Sequence, residues 1–134
     1  GAKAATGGKR VGNAGYFVAP TILTGAKPDM SVVREEIFGP VVCAMPFDDA
    51  DLDRIAREAN ATEYGLAASI WTTNLGIAHK LARRLRAGTV WINTHNAGDP
   101  ALPFGGYKQS GWGREMGKEA MELYTEVKAV QARL

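Results

Sequence analysis

The sequence predicts an α/β fold built on a doubly wound, mostly parallel sheet. Three observations carry this. Short apolar runs at residues 41–45, 66–71 and 89–92 have the length and the β-branched or aromatic content of buried strands. Between them, apolar side chains return at helical spacing: Leu52, Ile55, Ala56 and Ala59 in one segment, Ile77, Leu81 and Leu85 in the next. Each interval between strands is long enough for a parallel crossover, and such crossovers are right-handed almost without exception.

Taken in order, residues 1–15 are glycine-rich with a short basic pair, Lys9 and Arg10, and read as loop or frayed edge. YFVAPTIL at residues 16–23 reads as a strand, with Pro20 confining it to an edge or a bulge. Pro28 to Ser31 turn the chain into a short helix from Val32, reaching Phe38 at most and stopped by Gly39-Pro40. VVCAM at residues 41–45 is apolar throughout, the pattern of a strand covered on both faces. Asp48 and Asp49 are N-cap candidates for the next helix, and Asp51 and Asp53 suit the positive end of its dipole.

After the strand LAASIW at residues 66–71, Asn74 caps a second helix. Lys80, Arg83, Arg84 and Arg86 suit its C-terminal half, and Gly88 is expected to end it as a C′ glycine. From Asn93 to Gly113 glycine and proline replace any helical period. Loops this long inside a domain are usually functional, and this one leaves the carboxyl end of a strand, where ligands of open α/β sheets gather. A helix is expected from Gly113, with Met116, Ala120, Leu123 and Tyr124 on one face. Residues 126–134 read as a last strand without a partner in the chain, which calls for another segment or subunit to cover it.

Composition narrows the function. With 46% hydrophobic and 22% charged residues over 134 positions, the chain has the make-up of a globular protein with a core of its own. A formal net charge of +2 gives no footing for nucleic acid or an anionic membrane. No apolar run approaches the roughly 20 residues that span a bilayer. The single cysteine, Cys43, excludes an internal disulfide and favours a reducing, cytoplasmic setting. The opening Gly1-Ala2-Lys3, without methionine, predicts a processed product or an excerpt of a longer polypeptide.

Recognisable catalytic machinery is missing from the residues themselves. No H-E-x-x-H or C-x-x-C occurs, and His79 and His95 have no carboxylate pair near them in sequence, so no metal is expected. Cys43 lies between Val42 and Ala44 in an apolar strand that hides a thiol, so it reads as core rather than nucleophile. Gly111-Trp112-Gly113 lacks the third glycine of a dinucleotide fingerprint, Met116 standing in its place. The cluster Lys80, Arg83, Arg84 and Arg86 reads as a solvated helix face.

EEIFGP at residues 35–40, GTVWIN at 88–93 and PFGGYKQSGWGRE at 103–115 together resemble the NAD(P)-dependent aldehyde dehydrogenase superfamily. YGLAASIWT at 64–72 and YTEVKAV at 124–130 extend the resemblance in the same order, so that it runs from Gly15 to the end. It implies the C-terminal part of a catalytic domain at residues 1–125 and an oligomerisation strand at 126–134. In that family a cysteine thiolate attacks the aldehyde, and the thiohemiacetal gives up hydride to the nicotinamide. A glutamate-assisted water then hydrolyses the thioester to the carboxylic acid. The nucleophile, the general base and the Rossmann-type cofactor domain are expected outside these residues, and the chain alone is expected to be inactive.

Residue by residue, the resemblance implies that Glu36 holds the nicotinamide ribose hydroxyls and that Phe38 lies beside the nicotinamide ring. A carboxylate suits the first task because it accepts two hydroxyl hydrogen bonds in one geometry. Phe104 is expected to wall the aldehyde tunnel, and Asn96, Ala97 and Gly98 to shape substrate preference. Gly98 stands where relatives often carry a bulky aromatic, which predicts a wider tunnel and a bulkier aromatic or extended aldehyde. Glu115 matches a proton-relay glutamate, and it reads equally as an N-terminal helix residue favoured by the dipole. Arg114 and Glu126 match positions near subunit contacts, and a salt bridge between them is expected. The implied partners are an aldehyde, NAD or NADP, the remainder of the catalytic and cofactor-binding domains, and further copies of the chain through the last strand. An inactive truncated family member serving as an oligomerisation or binding module is the alternative.

Overall fold

Pro20 cannot donate to a ladder, and in the computed structural model of the protein, which describes residues 1–48 and 50–134, the strand expected around it starts only after it. The first unit, Gly1–Thr62, holds a three-stranded sheet in the order β1 (Lys3–Thr6), β2 (Thr21–Thr24), β3 (Val41–Ala44). β1 runs antiparallel to β2, with Ala4 opposite Leu23 and the register slipping between Ala4 and Thr6. β2 and β3 are parallel, from Thr21 opposite Val41 to Thr24 opposite Ala44. Of the two alternatives for residues 1–15, loop or frayed edge, the first of these strands removes the loop for Lys3–Thr6, which form an edge strand. Its side chains are all exposed, so no apolar alternation announces it, and pairing with β2 decides its conformation.

Between β2 and β3 lies α1 (Ser31–Arg34), shorter than the limit set by Phe38 because Glu35 already has extended backbone. After β3 comes α2 (Leu52–Ala59). Its N-cap is Asp51, whose carboxylate accepts from the Arg54 amide at 2.8 Å, rather than Asp48. The other candidate, Asp49, lies outside the described residues. The expected apolar stripe places Ala56 in the core of this unit. β3 corrects a second reading: its residues alternate between half-buried and exposed, and Val42 is 60% exposed, so this chain covers one of its faces.

The second unit, Glu63–Leu134, is built on a parallel pair. The short β4 (Tyr64–Gly65) leads into β5 (Ala67–Ile70), α3 (Leu75–Arg84) and β6 (Thr89–Ile92), with Ala67 opposite Thr89 and Ile70 opposite Ile92. Asn74 caps α3 as expected, its side-chain oxygen accepting from the Ile77 amide at 3.1 Å. α3 lies against β5, and Ile70, Ala78 and Leu81 form the buried apolar core of the unit. The helix ends at Leu85, so Gly88 is not its terminator. A β-carbon on Gly88 would overlap the Gly105 carbonyl, and this close approach of two backbones is what requires the glycine.

The long loop after β6 contains β7 (Tyr107–Lys108), which pairs antiparallel with β4, Gly65 facing Tyr107. α4 (Gly117–Glu122) begins later than expected from Gly113, because Met116 has a left-handed φ of 58° and Arg114 and Glu115 precede the helix. Residues 126–134 form no ladder among the described residues, and all of them are exposed. No helix among the described residues is long and apolar enough to cross a membrane. The α/β class holds, with parallel strands joined by helix-bearing connections in each unit.

Candidate functional site

Parallel pairing brings the carboxyl ends of β5 and β6 side by side, and the chain leaving them is tied down by polar side chains. Asn93, in the left-handed region at φ 54°, uses both atoms of its amide on one residue. Its oxygen accepts from the Thr72 amide and its nitrogen donates to the Thr72 carbonyl, each at 2.9 Å. The side chain thus closes a backbone-like ladder step where both strands end. Asparagine tolerates this φ better than other side chains do.

The next residues are held from the strands themselves. Ser69 Oγ in β5 and His95 Nδ1 share a hydrogen bond of 2.8 Å. His95 also meets Trp91 of β6 edge to face, with ring centroids 5.4 Å apart and planes at 68°. The Trp91 indole N–H donates to the Ala97 carbonyl at 2.8 Å. Asn96 between them is left-handed at φ 54°, which turns the chain sharply. Asn96, Ala97 and Gly98 therefore form one short segment anchored on both β5 and β6. At Gly98 an added β-carbon would meet nothing within 4 Å.

The loop then folds back through Phe104 and Glu115, which form an antiparallel bridge with both backbone hydrogen bonds at 2.7 Å. Inside this turn Arg114 Nη1 donates to the carbonyls of Gly106 at 2.9 Å and Gly113 at 2.8 Å, and its guanidinium lies 5.5 Å from the Tyr107 ring. Phe104 is half-buried here, at the edge of an open groove of about 830 Å³. Leu66, Arg114, Met116, Leu123 and Tyr124 also line that groove. Two readings are corrected by this arrangement. Glu115 sits in the bridge, not in the first turn of a helix, so the dipole reading falls. Arg114 is spent on backbone carbonyls, and no ion pair joins it to Glu126 among the described residues of this chain.

In the first unit, Glu36 and Phe38 share the short segment between α1 and β3. The Gly39 amide donates to the Ile37 carbonyl at 2.9 Å, bending the chain tightly there. Phe38 is 95% exposed and Glu36 is exposed. Cys43, half-buried in β3, donates its thiol to the Val32 carbonyl at 3.2 Å. No group of three or more His, Cys, Asp or Glu is placed to hold a metal among the described residues.

The sequence reading named Asn96, Ala97, Gly98, Phe104 and Glu115, and the structure gathers them along one loop. It missed Ser69, Trp91 and Asn93. A signal existed for two of them. Ser69 puts a hydroxyl into an apolar strand, and a tryptophan near a core needs an acceptor for its N–H.

Comparison with known proteins gives the same answer from three directions. Residues 1–130 match the model of the aldehyde dehydrogenase family. The mitochondrial aldehyde dehydrogenase of Leishmania tarentolae is 52% identical over 130 residues, covering 97% of this chain and 26% of that one. The mitochondrial benzaldehyde dehydrogenase of Antirrhinum majus is 49% identical over 130 residues, covering 97% of this chain and 24% of that one. The NAD+ complex of the aldehyde dehydrogenase from Bacillus cereus superimposes with a TM-score of 0.91 at 53% identity, covering 97% of this chain and 26% of that one. The chain spans about a quarter of the length of these relatives.

Proposed function

Because the chain belongs to the aldehyde dehydrogenase family, we propose that it is part of an enzyme oxidising an aldehyde to a carboxylic acid with NAD or NADP. The observation that carries this reading is Phe38, an aromatic ring left 95% exposed two residues from the carboxylate of Glu36. A large apolar ring in water is unfavourable unless something covers it. A flat heteroaromatic ring linked to a vicinal diol fits this pair, the ring against Phe38 and the two hydroxyls on the Glu36 carboxylate. Bound nicotinamide dinucleotide supplies the hydride acceptor. The chain's own residues bind and orient.

The second unit supplies the aldehyde's surroundings. Phe104 offers an apolar wall, and the segment Asn96 to Gly98 sets the width available to the substrate. Open space at Gly98 suits an aromatic or extended aldehyde, in keeping with the name of the Antirrhinum relative. Glu115, whose backbone alone makes the bridge to Phe104, leaves a free carboxylate for moving a proton. The nucleophilic cysteine and the general base belong to polypeptide outside these residues, since the Cys43 thiol is already engaged with Val32. Residues 1–125 then form the C-terminal part of the catalytic domain. Residues 126–134, with Val127 and Val130 exposed, pair with a second copy of the chain. The lone cysteine supports a cytoplasmic location, which fractionation of the source cells would test.

The test is turnover by the complete protein that carries this sequence. NAD(P)H formation with benzaldehyde and with acetaldehyde is expected, together with weaker cofactor binding in Glu36→Gln. A complete protein that forms oligomers but oxidises no aldehyde would support the inactive-module alternative instead.

A further inference from the structure

The hydrogen bond between Ser69 and His95 joins the middle of a core strand to a loop residue, and nothing in the fold of β5 requires it. A strand residue facing that space would pack as well as alanine, and β5 already carries Ala67 and Ala68. The hydroxyl instead fixes an imidazole by its Nδ1 at 2.8 Å. That imidazole lies against the edge of Trp91, and the Trp91 indole N–H is in turn bonded to the Ala97 carbonyl at 2.8 Å. Three side chains and one carbonyl thus form a continuous chain of contacts: Ser69 to His95, His95 to Trp91, Trp91 to Ala97. Two of its members, His95 and Ala97, flank the left-handed Asn96, and the residue after Ala97 is the open position Gly98.

A glycine next to open space gives width but also freedom, because it loses more conformational entropy on ordering than any other residue. A wide pocket wall left floppy binds a flat substrate poorly, since ordering the loop must be supplied from binding energy. We propose that His95 is a positioning residue, held by Ser69 and braced by Trp91, which fixes residues 96–98 in the open conformation and so selects aldehydes bearing a flat aromatic group. Selectivity then arises from two features together, the missing side chain at Gly98 and the rigidity of the segment that carries it. This rests on the aldehyde-oxidising reading above.

Two measurements on the complete protein test it. The first does not depend on activity. Exchange of the Trp91 indole N–H, which donates to the Ala97 carbonyl at 2.8 Å, is expected to rise about fivefold in Ser69→Ala and in His95→Phe, the weight of one net hydrogen bond. His95→Asn, whose amide can reach the place of Nδ1, is expected to restore slow exchange. Unchanged exchange in Ser69→Ala overturns the proposal whatever the enzyme does.

The second measurement compares benzaldehyde with acetaldehyde. The same two variants are expected to raise KM for benzaldehyde several-fold while leaving kcat, the cofactor KM and the acetaldehyde KM near their starting values. The double variant is expected to be no worse than either single one, because both remove the same link. Equal losses on both aldehydes, or additive losses, overturn the proposal. If the unsubstituted protein oxidises neither aldehyde, the functional reading fails on its own, and hydrogen exchange alone decides whether His95 holds the loop.

Discussion

Phe104 and Glu115 are joined by two backbone hydrogen bonds of 2.7 Å, so a proposed substrate wall and a proposed proton carrier hold each other in place. The bridge uses no side-chain atom. Glu115→Gln is therefore expected to leave the fold and the unfolding midpoint unchanged within about 0.5 kcal/mol, the usual range for a surface substitution. If the carboxylate moves a proton during turnover, kcat of the complete enzyme falls by about a hundredfold, as for loss of a general acid or base. Parallel measurement of urea unfolding and kcat separates the two roles. An unchanged kcat removes Glu115 from the chemistry.

Gly88 and Gly105 come from two different motifs, GTVWIN and PFGGYKQSGWGRE, and the structure explains why each has glycine there. A β-carbon at Gly88 would overlap the Gly105 carbonyl, and one at Gly105 would overlap the Gly113 carbonyl. Gly88→Ala is expected to destabilise the protein by about 1–3 kcal/mol or more, the cost of overpacking against backbone that cannot swing away. Gly98→Ala, where the new carbon meets nothing, serves as the control and is expected to be neutral. Urea unfolding of the two variants checks the pair.

Much of this was legible in the sequence, and the remainder was hidden for identifiable reasons. The helices α2 and α3 and the strands β5 and β6 announced themselves through their apolar patterns, and α3 also through its Asn74 cap, since Ala56 of one stripe and Leu81 of the other face inward. β1, β4 and β7 did not, because they are short and their conformation comes from a distant partner rather than from their own apolar pattern. The role of Gly88 was misread for the same reason: a glycine after a helix looks like a terminator until the chain that approaches it is known. VVCAM reads as a strand covered twice, yet Val42 stays open in this chain, so an apolar run alone does not tell how many faces this chain covers. The loop residues Asn96, Ala97, Gly98 and Phe104 came from the motifs. The links that hold them, Ser69 to His95 and Trp91 to Ala97, depend on pairing between two strands and could not be read from spacing.

Glu36 and Phe38 make separable contributions if they meet the two halves of a nicotinamide nucleoside. Glu36→Gln keeps the shape but loses the charge, and a hydrogen bond to a charged acceptor is worth about 1.5–3 kcal/mol. The cofactor dissociation constant of the complete enzyme is therefore expected to rise by about tenfold to a hundredfold. Phe38→Leu removes the flat ring and keeps apolar area, so a smaller rise is expected, with the larger effect on kcat through loss of ring orientation. Cofactor titration by tryptophan fluorescence and steady-state rates measure the two effects. Equal, small changes in both would mean that the exposed ring is covered by polypeptide instead.

The open position at Gly98 gives the most direct control over substrate choice. Its backbone lies outside the left-handed region and an added β-carbon meets nothing, so a large side chain can be introduced without strain at the residue itself. Gly98→Phe would place a ring in that space while the Trp91–Ala97 hydrogen bond keeps the neighbouring carbonyl where it is. A pocket that loses room for a ring but keeps room for a methyl group discriminates by shape, an effect worth about 1–3 kcal/mol and so at least tenfold in relative kcat/KM. The ratio of kcat/KM for benzaldehyde over acetaldehyde is expected to fall by that factor, chiefly through the aromatic substrate, with cofactor affinity untouched. Gly98→Ala, smaller than the space available, should leave the ratio near its starting value. If the phenylalanine variant keeps the original ratio, residues 96–98 do not bound the substrate, and the width of the pocket is set elsewhere.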